Sequence, residues 1–359
     1  MSAPSGNAGV LPSQAIKGLI DAGAIEAPAL LHGQLQPASL DLRLGSTAYR
    51  VRASFLSGAG ATIVDRLPEF EMHRVDLSAG AVLEKGCVYL VPLQEQLRLP
   101  PDVAAVANAK SSTGRLDLLT RTVTDGGVEF DRIPPGYAGP IYAEICPRSF
   151  SVLVRPGMRL NQIRFRRGQA VLGDDALRAL HRRTPLVDGE PVIADGLGFS
   201  VDLGHAGGGI AGWRAKPHAG IVDLDRIGHY RPDEYWEAVR PERGRVILDP
   251  GAFYILVSRE AVAIPPDHAA EMAPYLAMVG EFRVHYAGFF DPGFGHGTPA
   301  RGVLEVRCHE APFALEHGQV VGRLVYERMA EVPAQLYGEG IASNYQGQGL
   351  KLSKHFAAP

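Results

Sequence analysis

Cysteine is scarce in this 359-residue chain. Its three cysteines, Cys87, Cys146 and Cys308, lie far apart. They build no disulfide framework and no C-x-x-C metal pair, so a reducing, cytoplasmic compartment is expected. Net charge is also nearly missing: 36 basic against 39 acidic side chains leave −3. That gives no electrostatic footprint for duplex nucleic acid or an anionic membrane. No apolar run is long enough to span a bilayer, and "MSAPSGNAGVLPSQ" has neither the basic start nor the apolar core of a signal peptide. Helical patterning is thin: Ser13–Ala24, with Ser13 as N-cap, and Asp174–Arg183.

Turn formers are plentiful instead. Forty-two glycines and 27 prolines punctuate short apolar or alternating runs such as "CVYLVPL", "PIYAEI", "AFYILVS" and "GVLEVRC". Such spacing predicts a mainly β protein of barrels or sandwiches. At 46% hydrophobic, the chain can fill real cores, and its length suits two domains.

The chain repeats itself. "LEKGCVYLVPLQEQLRLPPDVAA" from Leu83 runs in step with "LDPGAFYILVSREAVAIPPDHAA" from Leu248, 165 positions on. "IYAEICPRSF" from Ile141 meets "GVLEVRCHEA" from Gly302 at an offset of 161, as "ASLDLRLG" from Ala38 meets "FSVDLGHA" from Phe199. Two copies of one β-domain are therefore expected, 1–175 and 185–359, with the seam between about Gly168 and Gly189. Positions shared by both copies serve the fold. Positions kept in one copy are candidates for chemistry.

"AKSSTGRLDLL" (Ala109–Leu119) is kept in one. Lys110, Ser111, Ser112 and Arg115 face Tyr275, Leu276, Ala277 and Gly280 in the second copy. A surface helix capped by serine is the plain reading. A helical cap should survive duplication, however, so the loss favours an anion site, with amides and hydroxyls at a helix start and two cations beside them. The reverse asymmetry marks "RVHYAGFFDPGFGHG" (Arg283–Gly297), read as a hairpin whose Phe289, Phe290 and Phe294 either grip a flat base or fill the core. Beyond each such segment a strand carries a carboxylate, Glu144 and Glu305. A glutamate on an apolar strand is either ion-paired, here to Arg301 or Arg307, or a proton carrier.

These stretches resemble the dCTP deaminase family, of the dUTPase-like β-fold. "QPASLDLRLG" follows an N-terminal helix as it does there. "AKSSTGRLDLL" resembles the family's phosphate loop, with Lys110 where arginine is common. "YAGFFDPGF" resembles its base- and sugar-binding hairpin, Glu305 falls on its catalytic glutamate, and "YGEGIASNYQGQ" (Tyr337–Gln348) resembles its nucleotide-covering tail, with Asn344 where lysine is usual. The resemblance implies two tandem dUTPase-like barrels (distorted jelly rolls, or β-clips) with a few short helices. It implies hydrolysis of dCTP to dUTP and ammonia, in a homo-oligomer. Phosphate loop from copy one and base pocket from copy two would form a composite site, within a chain or across a partner, leaving Glu144 in a vestigial half-site.

In that reading Glu305 is the acid–base. Ser111 helps position water, and Arg115, Lys110 and Ser112 hold phosphates, with Mg²⁺ carried by the triphosphate. The backbone at Ala287 and Gly288 reads the base, Asp291 binds the 3′-hydroxyl, and Tyr337 and Gln348 are tail ligands. Zinc is not expected, since the H-x-E and P-C-x-x-C signature of zinc deaminases is absent from the sequence. Two rivals stand beside it: a dUTPase or bifunctional enzyme releasing dUMP, and an inactive nucleotide-binding regulator. The histidines and "GHAGGGIAGW" look bland, and "RPDEYWEAVRPERGR" reads as a charged helical excursion.

Overall fold

A computed structural model describes residues 7–204, 209–274, 282–284, 288–338 and 349–358. The chain is mainly β, with few and short helices, and divides into two compact units. The first comprises Met1–Ala170, Gly220–Arg226 and Met329–Gln335; the second comprises Val171–Ala219, Ile227–Arg328 and Leu336–Pro359.

In the first unit the principal strands are β1 (Ser39–Arg43), β2 (Thr47–Val51), β3 (Glu71–Asp76), β4 (Ala81–Leu83), β5 (Val88–Arg98), β6 (Val103–Ala109), β7 (Leu118–Thr124), β8 (Arg132–Ile133), β9 (Ala138–Pro147), β10 (Val152–Val154) and β11 (Arg159–Arg167). They pair in the orders β8-β6-β11-β1, β7-β9-β5-β2-β3 and β10-β4. In the second unit they are β12 (Leu197–Ser200), β13 (Gly212–Ala215), β14 (Trp236–Val239), β15 (Arg245–Leu248), β16 (Phe253–Val262), β17 (His268–Pro274), β18 (Phe282–Val284), β19 (Phe289–Phe290), β20 (Ala300–Cys308), β21 (Phe313–Glu316) and β22 (Val320–Arg328). Their orders are β19-β17-β22-β12, β18-β20-β16-β13-β14 and β21-β15. Every pairing among these principal strands of the first unit recurs in the second with each label raised by eleven, so the internal repeat read from sequence is a repeat of hydrogen-bonded topology.

Alternation drives these strands. In β6, Val103, Ala105, Ala107 and Ala109 are buried while their neighbours are half-exposed. Alanine is a poor strand former, but β8 and β11 pair with β6 on its two edges, and burial in context outweighs intrinsic preference. The second unit packs Phe199, Leu256, Ile264, Leu304, Leu324 and Tyr326 into one core. Each fully buried aliphatic side chain there contributes roughly 1.5–3 kcal/mol.

Two segments late in the chain belong to the first unit. Val222–Asp223 runs parallel beside β10, where Arg155 reaches Asp223 at 2.8 Å and Asp225 at 2.7 Å. Further on, the Ala330 N–H donates to the Val10 carbonyl at 2.8 Å, and Gln14 donates to the Val332 carbonyl at 2.8 Å.

The helices are α1 (Ser13–Asp21), α2 (Ile63–Phe70), α3 (Ser111–Gly114), α4 (Asp174–Arg183) and α5 (Pro232–Tyr235). In α1 the N-cap position belongs to Pro12 rather than Ser13, and no side chain caps it. Helix α2 was not expected; Thr62 and Asp65 close it with a capping box. The excursion "RPDEYWEAVRPERGR" is only one helical turn, α5, before it becomes strand β14.

Candidate functional site

In the first unit β6 delivers the chain to Lys110, whose N–H donates to the Leu160 carbonyl of β11 at 2.9 Å. The single turn α3 follows. The Thr113 and Gly114 N–H groups both turn onto the Lys110 carbonyl, at 2.8 and 2.9 Å, and Thr113 Oγ1 donates to the Leu160 carbonyl at 3.0 Å. The loop is thus fastened to β11, but those two amides face inward rather than toward an anion. A four-residue helix also carries little macrodipole. Anion holding here falls mainly to side chains. Ser111 is half-buried, Ser112 is buried, and Arg115 is only 3% exposed. Lys110 Nζ donates to Asp41 of β1, a fully buried carboxylate. Asp202, which the offset of 161 sets against Asp41, stands instead in the slot of Gly45: its N–H donates to the Val257 carbonyl as that of Gly45 does to the Pro92 carbonyl.

Glu144 lies on β9 directly across from Arg121 of β7. Arg121 Nε donates to the carboxylate at 3.1 Å, and the guanidinium also reaches Ser54 Oγ at 2.9 Å. Its face lies 3.6 Å over the Phe130 ring. Behind, Phe55 and Phe70 stack at 4.4 Å in a small core with Val51, Ile63 and Leu67. Glu144 is therefore a paired group beneath an aromatic cover. Arg121 was not foreseen, because nothing in a local motif tells which residue of β7 will face Glu144.

In the second unit Glu305 stands on β20 opposite Ile255 of β16 and is 3% exposed. Gly302, Leu304, Val306 and Cys308 fill the core, while Arg301, Val303 and Arg307 share the other face with Glu305 and stay half-buried. Arg301 is held by the buried Asp202. Burial pushes that carboxyl up, but the Gly204 N–H at 2.9 Å, the Arg301 guanidinium and nearby His317 outweigh it and leave it below the ordinary carboxylate range.

The segment read as a hairpin is a crossing between sheets instead: β18 pairs with β20, whereas β19 pairs with β17. In the first unit β7 and β8 diverge the same way. Phe290 and Phe294 are buried, packed edge-on at 5.1 Å in the core, so neither is free to grip a base. The carbonyl of buried Gly288 accepts the Met272 N–H at 2.7 Å. Asp291 is 8% exposed and begins the turn that Gly293 completes at φ +90°. A Cβ at Gly293 would sit 2.8 Å from Leu336 Cβ, which lets Tyr337 lie against the turn. The Tyr337 N–H donates to the Pro292 carbonyl at 2.9 Å, and its ring is 5.5 Å from Phe294. Asp291 and Tyr337 are thus neighbours. Ala287 and Gln348 lie outside the described residues. Among the described residues no three His, Cys, Asp or Glu side chains converge as metal ligands, and no helix is long and apolar enough to cross a membrane.

Two family models cover nearly all of the chain. One, 2'-deoxycytidine 5'-triphosphate deaminase N-terminal domain, matches residues 7–169, and its C-terminal counterpart matches residues 173–356. The chain belongs to the dCTP deaminase family. This is a family of enzymes. A solved structure titled 2'-deoxycytidine 5'-triphosphate deaminase from Agrobacterium tumefaciens is similar at 55% identity and TM-score 0.87, over 90% of this chain and 99% of that one. A dCTP deaminase of Halorubrum lacusprofundi is 32% identical over 134 residues, 37% of this chain and 63% of that protein. A protein of Coprothermobacter proteolyticus named "dCTP deaminase, dUMP-forming" is 31% identical over 157 residues, 44% of this chain and 81% of that one. Among these relatives, then, the name occurs both plain and with the addition "dUMP-forming".

Proposed function

We propose that this protein hydrolyses dCTP, with its Mg²⁺, to dUTP and ammonia, and that each unit is a dUTPase-like barrel. The first unit carries the anion-holding groups Lys110, Ser111, Ser112 and Arg115. The second carries the acid–base and base-reading groups, Glu305, Ala287, Gly288, Asp291, Tyr337 and Gln348.

The chemistry at C4 needs one proton carrier. Glu305 takes a proton from water as its oxygen adds to C4. It then returns that proton to the amino group, which leaves as ammonia, while the new hydroxyl's own proton passes to N3 as the C4 carbonyl forms, giving the N3–H of uracil. Ser111 helps place the water. No zinc step enters, because the sequence lacks the zinc-deaminase signature. The observation that carries this reading is what each unit keeps: Glu305 lies in the unit that retains Asp291, Tyr337 and the rest of the base-binding segment, whereas Glu144, beside Arg121, lies in the unit that has lost them.

The dUMP-forming names among relatives favour a second outcome, in which the same protein cleaves the dUTP it makes. Incubation with dCTP and Mg²⁺, with and without a strong zinc chelator, separates the cases. dUTP that persists in chelator supports the proposal, and dUMP adds the second step. Unchanged dCTP with binding intact would favour a nucleotide-binding regulator and overturn it.

A further inference from the structure

We propose that Arg159 is a phosphate-binding residue of the first unit, gathered with Lys110 around the buried carboxylate of Asp41. This rests on the nucleotide reading above and adds a residue to it.

Asp41 has no exposed surface. Its Oδ2 accepts from Lys110 Nζ, and Arg159 Nη1 of β11 stands 3.6 Å from the same oxygen. A carboxylate so deep is costly unless cations compensate it. One would suffice; two are present, so the cluster keeps a formal charge of +1. The excess faces outward. Lys110 and Arg159 are 23% and 31% exposed at their side chains, and the second contact of Arg159 Nη1 is the His32 carbonyl at 3.3 Å. Two solvent-reaching cations converging on one buried anion, next to Ser111, form a cradle for a polyphosphate. The guanidinium adds planar, multidentate donors that lysine lacks.

The repeats bear on the same cluster. Matched hydrogen bonds put Ser200, Val201 and Asp202 in the slots of Arg43, Leu44 and Gly45, so Gly198 stands in the second unit where Asp41 stands in the first. Lys110 faces Tyr275, and at the offset of 161 Arg159 faces Val320. Asp41, Lys110 and Arg159 are thus kept together where the phosphate loop is kept and lost together where it is lost.

The test measures binding by calorimetry in a Glu305→Gln background, so that bound dCTP is not turned over. The probes are dCTP, deoxycytidine and inorganic tripolyphosphate, each with Arg159, Arg159→Gln and Arg159→Lys. Removing a charge-assisted contact should weaken dCTP and tripolyphosphate about tenfold or more with Arg159→Gln, less with Arg159→Lys, and leave deoxycytidine unchanged. Unchanged dCTP binding in Arg159→Gln overturns the proposal and leaves the deaminase reading standing. Equal weakening of dCTP and deoxycytidine overturns it too, since that is a structural effect. If the parent binds tripolyphosphate through Arg159 but not dCTP, the cradle stands and the deaminase reading falls; if it binds neither, both fall. Should Arg159→Gln fold poorly, Arg159→Lys decides alone, by whether its loss is confined to the phosphate-bearing probes.

Discussion

Arg121 holds Glu144. The two face each other across β7 and β9, Nε to carboxylate at 3.1 Å, with the guanidinium lying on Phe130. Such a pair commits the carboxylate to a cation, which suits a structural role rather than the shuttling of a proton. Glu144→Gln should therefore keep deamination within about twofold. It should cost about 1 kcal/mol of stability, because the amide still accepts from Arg121 and that cation is partly solvated. Steady-state rates and urea midpoints read the two effects. A Glu144→Gln protein that folds, binds dCTP and turns nothing over would move the catalytic role to the first unit.

Glu305→Gln should behave oppositely. The side chain keeps its shape at a position that is 3% exposed, so folding should change little. Losing the proton carrier should lower turnover by about 10²–10⁴-fold. dCTP affinity should stay near that of the parent, since no phosphate contact is touched. Single-turnover product formation together with calorimetric binding would check both halves. Undiminished turnover would remove Glu305 from the mechanism.

The sequence showed its repeats because duplication preserves order and spacing. The offsets of 161 and 165 align β4, β5, β6, β9, β10 and β11 with β15, β16, β17, β20, β21 and β22, and small insertions and deletions shift the other five strand pairs; the polar stretch Asp174–Arg183 proved to be α4 with those bounds. What stayed hidden depends on long-range contact. Helix α2 carries Pro68 inside it, which argues against a helix locally, yet its buried Ile63 and Leu67 hold it in a core that residues far along the chain complete. Val222–Asp223 joins a strand of the first unit although the repeat places it in the second copy. Phe290 and Phe294 were ambiguous because an aromatic at a turn suits a ligand or a core equally well, and only burial decides. Lys110 was visible in its motif. Asp41, which holds it, and Arg159 were not, since neither lies near it in sequence.

A pH effect follows from His268. Its side chain is 7% exposed, and burial lowers its proton affinity from the ordinary 6.5. Asp267, 2.7 Å away, opposes that shift, while Arg183 and Arg328 reinforce it. Above about pH 6.5 the ring is neutral in both folded and unfolded chains, and no stability is lost. As pH falls through 6.5, the unfolded chain takes up a proton that the folded one refuses, so stability declines until folded His268 protonates as well. His268→Gln should flatten that decline. Urea midpoints at pH 7.5, 6.5 and 5.5 measure it, and parallel slopes for parent and variant would assign the drop elsewhere.

Gly302 ties the core to the chemistry. It occupies β20 three residues before Glu305 and points to the opposite face, against the buried ring of Phe199. A Cβ there would lie 2.4 and 2.6 Å from two ring carbons, far inside contact distance, with Phe290 close behind at 3.7 Å. The Gly302 N–H is also fixed, donating to Ser258 Oγ at 2.9 Å. In Gly302→Ala either the ring or the strand must give way. The ring is wedged in a filled core, so the strand should shift, at roughly 1–3 kcal/mol. That shift carries Glu305 with it, and an acid–base group moved by a fraction of an ångström to an ångström loses alignment with its water. The variant should therefore fold with a lower melting temperature and show kcat reduced by up to about 10²-fold, while tripolyphosphate binding stays unchanged, because that property belongs to the first unit. If kcat holds while stability falls as stated, the ring has yielded instead, and Phe199→Leu in the Gly302→Ala background should then restore stability without altering turnover.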